Sequence, residues 1–308
     1  MKRPFRSTTR RAAWLVYLVL GSAVTAAYFA WPGHHLQFWT PLGLSAVAAT
    51  VLGVRLHRPA LSWAWYLRAA ELCFITGDTV YTVLTEVLHR ENPFPSVADA
   101  CYLAVYPMWA VAILAMTRSR SRGVTSDRGG LLDSLILTTG LGLLSWVYLV
   151  VPSFQAEGLT LTQRLVSVSY PLGDVLVLSM LARLVTTGGL RVRSVRWLAF
   201  GGASLLAADV SYGLSQLAGS KMLGGPTDLG WAVSYVAFGV AALHPSSVEV
   251  GEPVLRRSPV AAAFGARATL VGAGVLGGVL TMAALFLPGM RDVDGALAEP
   301  PAVLEAAR

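Results

Sequence analysis

The sequence predicts an all-α, polytopic membrane protein of about nine transmembrane helices, and three observations carry that expectation. Hydrophobic residues make up 55% of the 308 positions and charged residues 13%, with a mean hydropathy of +0.58, too apolar for a surface that must meet water. The apolar residues form continuous runs near the ~20 residues a helix needs to cross a ~30 Å hydrocarbon layer, not the alternation of a barrel strand. Basic residues collect in every second gap between the runs, the pattern of cytoplasmic loops.

In chain order the spans are expected at Ala12–Ala30, Phe38–Val54, Leu61–Leu88, Val97–Met116, Leu131–Val151, Leu165–Val185, Trp197–Leu217, Thr227–Leu243 and Ala268–Leu287. Prolines 32, 41, 59, 93, 95, 152, 226, 245 and 288 stand at or near their edges, where the missing N–H stops a helix. Lys2, Arg3, Arg6, Arg10 and Arg11 precede the first span. Arg55 and Arg58, then Arg118 to Arg128, Arg191 to Arg196, and Arg256 to Arg267 follow in alternate loops, whereas the opposite loops are poor in basic residues, with Arg90 and Lys221. Residues 1–11 are therefore expected to be a basic cytoplasmic terminus, 12–287 the transmembrane domain and 288–308 a short extracytoplasmic tail. No small-residue cleavage site ends the first apolar run, where Tyr28, Phe29 and Trp31 stand, so a retained span is expected.

An internal repeat is the strongest signal along the chain. GDTVY of the third span places Asp78 and Tyr81 three residues apart, and ADVSY of the seventh does the same with Asp209 and Tyr212. Asp99, Tyr102 and Tyr106 of the fourth span correspond to Asp228, Trp231 and Tyr235 of the eighth. An even number of intervening spans makes the copies parallel.

A carboxylate inside a membrane costs roughly 2.5–3.5 kcal/mol on insertion scales, so it faces a polar interior and finds a partner. Asp78, Asp174 (in SYPLGD of the sixth span) and Asp209 each lie about ten residues from the external end of a helix, at one level in the outer half of the bilayer. With Tyr81 and Tyr212 they are the candidate lining of an outward-facing ligand cavity. The alternative is that each acid bonds its own Tyr neighbour, or a hydroxyl on the next helix, and fixes packing. Asp99 and Asp228, at helix beginnings, suit capping. Because each shares a helix face with its aromatic partners (Tyr102 and Tyr106; Trp231 and Tyr235), they also suit a cavity rim. Arg68 with Glu71, and Asp133 with Arg183, read as structural pairs, and Cys73 and Cys101 as packing residues.

Other chemistry has little support. Gly272, Gly274 and Gly277 form a G-x-G-x-x-G string inside the ninth span with no preceding strand, which suits close helix packing and not a dinucleotide. The adjacent His34 and His35 are weak grounds for a metal. No cofactor, zinc-protease, Walker A or nucleophile-elbow pattern is present, so no enzymatic activity is expected.

The tracts PFPSVADACYLAVYP, LLDSLI, SYPLGDVLVL, LAADVSYGL and DLGWAVSYVAFGVAALHPS resemble the N-terminal membrane region of actinobacterial signalling proteins that carry cytoplasmic GGDEF and EAL domains. The resemblance spans roughly residues 63–247. It implies a sensory membrane module, here without a GGDEF or EAL sequence. The expected function is thus sensing or ligand binding, with small-solute or ion transport and structural assembly as alternatives. Expected partners are the lipid bilayer, a cytoplasmic or membrane signalling protein and a second copy of the chain in a homodimer. Nucleic acid is not among them, since the basic residues sit in short inter-span clusters.

Overall fold

The computed structural model describes residues 5–31, 33–57, 63–90, 93–120, 128–156, 158–186, 189–217 and 225–251, which are helical with no strand among them. The long helices are α1 (Phe5–Ala30), α2 (His35–His57), α3 (Trp63–Thr82), α4 (Val97–Arg120) and α5 (Arg128–Ser145). The short α6 (Val151–Gln155) is followed by α7 (Leu161–Thr186), α8 (Arg193–Leu217) and α9 (Pro226–Leu243). A π-helical turn at Val83–Val87 extends α3, and another at Trp146–Val150 joins α5 to α6.

Local chemistry accounts for several boundaries. The turn between α1 and α2 contains Gly33 at φ +93°, where a side chain would be strained. Helix α4 opens with a reciprocal cap: the Ala98 N–H donates to Ser96 Oγ at 3.2 Å and the Ser96 N–H donates to Asp99 Oδ2 at 2.6 Å. Helix α9 begins at Pro226, whose lost donor would have been unpaired in a first turn. Pro41, Pro107 and Pro171 lie inside α2, α4 and α7, where neighbouring helices make such breaks tolerable.

Five helical stretches are long and apolar enough to cross a membrane: Ala12–Ala30, His35–His57, Val97–Ser119, Ser134–Gln155 and Leu161–Thr186. Thr227–Leu243 is apolar but shorter. The difference from the nine expected spans has a physical origin. Helix α3 carries Arg68, Glu71 and Asp78, and α8 carries Arg193, Arg196 and Asp209, which dilute their apolar character. The expected ninth span and the tail lie outside the described residues.

Helix α3 packs along α4 and α8 along α9, while α2 lies on α9, and α4 and α5 lie on α7. One core joins Trp109, Ile113 and Met116 of α4 to Leu181, Leu184, Val195, Leu198 and Phe238. A second gathers Tyr28, Trp39, Leu42, Ile75 and Tyr235. Helices α1 and α5 instead expose Leu15, Val19 and Leu20, and Leu135, Ile136 and Leu143, the apolar surface that acyl chains would cover.

The arginine-rich end is closed by the segment after α9. Pro245–Gly251 folds back as a 3-10 turn with Ser247 and Val250 buried. Ser194 Oγ donates to the Ala241 carbonyl at 2.5 Å, the Ser194 N–H to Ser246 Oγ at 2.9 Å, and the Ser246 N–H to His244 Nδ1 at 3.1 Å. His57 Nε2 lies 3.0 Å from the Leu243 carbonyl, tying the end of α2 to the end of α9.

Candidate functional site

The site is a network of carboxylates and aromatic donors in the half of the bundle away from the arginine-rich end. Asp78 of α3 is its most heavily bonded member. Tyr102 OH donates to Asp78 Oδ1 at 2.8 Å, while Trp39 Nε1 at 2.7 Å and Tyr235 OH at 2.8 Å both donate to Oδ2. The three donors come from α2, α4 and α9, so one carboxylate joins four helices. Interhelical hydrogen bonds of this kind contribute roughly 0.6–2 kcal/mol each in a membrane.

Asp209 of α8 has different company. Trp231 Nε1 of α9 donates to Asp209 Oδ1 at 2.7 Å. Its other hydrogen-bonding neighbour is Asp174 of α7, which also faces the Tyr106 hydroxyl of α4. Asp174 is 7% exposed, and its Oδ1 has no hydrogen-bond partner among the described residues. Asp209 also interacts electrostatically with Asp78. Of the three acids that the sequence set at one depth, Asp209 is thus within electrostatic reach of the other two.

Toward the loops the rim is also bonded. Tyr170 OH of α7 donates to Asp99 Oδ1 at 2.6 Å, and Tyr28 OH of α1 donates to Asp228 Oδ2 at 2.5 Å. Asp99 thus combines the expected capping role, through Ser96, with a link to α7. Gly225 precedes the first turn of α9, and its lack of a side chain leaves no counterpart of Ser96 there.

Of the two forms of the packing alternative, a hydroxyl on the next helix is found at Asp78, through Tyr102 of α4, and a bond to the acid's own i+3 tyrosine is found at neither Asp78 nor Asp209 among the described hydrogen bonds. Among the described hydrogen bonds neither Tyr81 nor Tyr212 donates to an aspartate. Tyr212 OH instead accepts from Gln216 Nε2 at 2.6 Å, its ring lies 5.5 Å from that of Trp231, and it interacts electrostatically with Tyr81. Asp78 and Asp209 look across to other helices because a tyrosine one turn along the same helix is held parallel to them, while donors on packed neighbours point inward.

Sequence reasoning missed Tyr28, Trp39 and Tyr170. Each is an aromatic with one polar atom on an apolar helix, and that residue type near a membrane carboxylate was the available signal. Deeper in the bundle, Glu71 is buried and accepts from Thr50 Oγ1 at 2.8 Å, with Arg68 near enough to act on it electrostatically. The side chain of Asp133, the expected partner of Arg183, lies outside the described residues. Cys73 and Cys101 are free thiols.

No protein-family model, curated protein or solved structure matches the chain. The chemistry of the network is what bears on its role.

Proposed function

We propose that this chain is a membrane-embedded sensory or ligand-binding module, built from two parallel copies of a four-span unit, with its output carried by a partner or by a domain outside this sequence. The observation that carries the reading is that an aromatic of one half bonds an acid of the other, Tyr235 to Asp78, while Tyr106 faces Asp174 in the opposite sense.

Equivalent bonds support the repeat. Tyr102 on Asp78 and Trp231 on Asp209 are corresponding positions of the two copies, and each pair joins a helix to the next. Pro41-Leu42-Gly43 of α2 and Pro171-Leu172-Gly173 of α7 extend the correspondence, all three tracts recurring about 130 residues apart. The packing of α2 on α9 and of α4 on α7 is what exchange of the halves predicts. Nine spans with a cytoplasmic N-terminus agree with the placement of arginines near one end.

A cationic or hydrogen-bonding ligand entering this network would compete for groups that hold both halves. It would shift the equilibrium between two helix packings by its differential affinity for them. The resemblance to membrane regions of cyclic di-GMP signalling proteins points the same way. The test is a thermal-shift screen of the protein in nanodiscs against small organic cations and polyols, paired with uptake into proteoliposomes. A saturable shift without uptake is the expected result. Gradient-dependent uptake would establish the second reading, transport, which the adjacent acids Asp174 and Asp209 favour.

A further inference from the structure

Asp78 and Asp209 occupy corresponding positions, yet their surroundings differ in one respect. Among the described residues, the hydrogen-bonding neighbours of Asp78 are neutral donors, from α2, α4 and α9. Asp209 has one neutral donor, Trp231, and beside it a second acid. That acid follows the repeated Pro-Leu-Gly tract, where the first copy has Leu44 and the second Asp174.

Among the described residues, the titratable groups that act on the pair are acids and phenols. From α4 comes Tyr106, from α3 Asp78, and from α7 itself Tyr170, with Tyr212 close by on α8. From the turn between α5 and α6 the described titratable residue is Tyr148, which is half exposed. Among the described residues no base appears among the groups acting on either acid. Arg164 and Arg183, the arginines of α7, stand ten and nine residues from Asp174, on the order of 14 Å along the helix. Two neighbouring carboxylates, Asp174 buried and Asp209 partly so, with no base among the described groups acting on them, repel too strongly for both to be ionised. The vacant Asp174 Oδ1, buried in the same place, is a further site for a cation. No three His, Cys, Asp or Glu side chains come together as a metal site among the described residues, which suits a single proton better than a divalent ion.

We infer that Asp174 and Asp209 form a carboxyl–carboxylate pair holding one exchangeable proton, and that the second copy of the repeat has become the proton-responsive half of the bundle while the first, at Asp78, serves as a fixed lock. Protonated, one acid donates to the other and bridges α7 to α8. Release of the proton leaves two like charges in contact and drives those helices apart. The inference deepens the proposed ligand site and rests on that reading only for the link between this separation and signalling.

The test is infrared difference spectroscopy of the whole protein in nanodiscs during a pH titration, with H2O exchanged for D2O. A carboxylic acid C=O band that shifts in D2O and disappears as pH rises is expected. Labelling all aspartates with 13C at the carboxyl carbon must move the band in the unaltered protein, so this arm needs no variant. Asp174→Asn and Asp209→Asn should each abolish it, and Asp78→Asn should leave it in place. Absence of a titrating aspartate band in the labelled protein would overturn the pair, as would its survival in both Asn variants or its loss only in Asp78→Asn. Loss of the band when sodium is added at constant pH would also overturn it, because the exchangeable ion would then be sodium. Presence of the band with no ligand-induced thermal shift would leave the pair standing and sink the sensory reading instead.

Discussion

Tyr235 donates its hydroxyl to Asp78 at 2.8 Å across 157 residues of chain, and in doing so ties α9 to α3. The bond shares Asp78 Oδ2 with Trp39, so the same oxygen also holds α2. Tyr235→Phe removes one donor and leaves the acceptor bonded, and it should lower stability by about 1 kcal/mol. Asp78→Ala strands three donors at once, Trp39 and Tyr235 buried and Tyr102 partly so, and should cost on the order of 3 kcal/mol. Unfolding in mixed detergent micelles would measure both. Equal losses in the two variants would show that Asp78 is not the hub of the bundle.

The contact between α2 and α9 rests on a small residue. A Cβ on Gly53 would lie 2.3 Å from the Ala242 carbonyl oxygen, a clash with backbone that no rotamer relieves. Gly53→Ala should therefore destabilise by about 1–3 kcal/mol. Gly140 of α5 has open space around its Cβ position, and Gly140→Ala should be neutral or stabilise by up to about 1 kcal/mol through helix propensity. Melting temperatures of the two variants, compared directly, check the pair.

How much of this was legible in the sequence follows from which forces act locally. Long apolar runs and prolines depend on neighbours in the chain, and they predicted the helices and most of their edges. The expectation that Asp78, Asp174 and Asp209 share one depth came from counting along helices. Their partners did not follow, because Trp39 and Tyr235 reach Asp78 through rotation and packing of whole helices, which no local spacing encodes. Pairing Asp78 with Tyr81 failed for that reason. Span number was legible only in part, since α3 and α8 mix charges with apolar residues.

At the arginine-rich end, His244 is buried and accepts from the Ser246 N–H through Nδ1. Burial, and then the nearby charges of Arg193, His57 and Arg196, push its pKa below the ordinary 6.5. The unfolded chain therefore takes up the proton first. The stabilising contribution of His244 should be complete above pH 6.5 and fall away as pH drops from there through the lower folded value. His244→Asn should flatten the stability profile across that acidic window. An unchanged slope would mean that the histidine is already charged in the folded protein.

Orientation is open to direct labelling. If the arginine-rich end faces the cytoplasm, cysteine at the exposed positions His34 and Gln155 should react with an impermeant maleimide in intact cells. Cysteine at the exposed positions Arg191 and Glu249 should react only after permeabilisation. Ala298, beyond the described residues, should label from outside if a ninth span precedes it. Reaction of Arg191→Cys in intact cells would reverse the proposed topology.

The two central acids should respond differently to a ligand, and the reason lies in their free valences. Asp78 has Oδ1 bonded to Tyr102 and Oδ2 bonded to both Trp39 and Tyr235, so a bound cation would have to compete with three donors already in place. Around Asp209 the neighbouring Asp174 Oδ1 has no hydrogen-bond partner among the described residues, and the described titratable groups that act on Asp209 are acids. For any organic cation that gives a thermal shift, Asp209→Asn should weaken binding at least about tenfold, equivalent to roughly 1.4 kcal/mol, through the loss of charge. Asp78→Asn should instead lower the melting temperature and leave affinity within about threefold, because its amide turns one lock acceptor into a donor facing donors. Titration of each variant by calorimetry separates the effects. Equal affinity losses in the two would place the ligand between the copies, in contact with both acids, and would defeat the division into a lock and a responsive half.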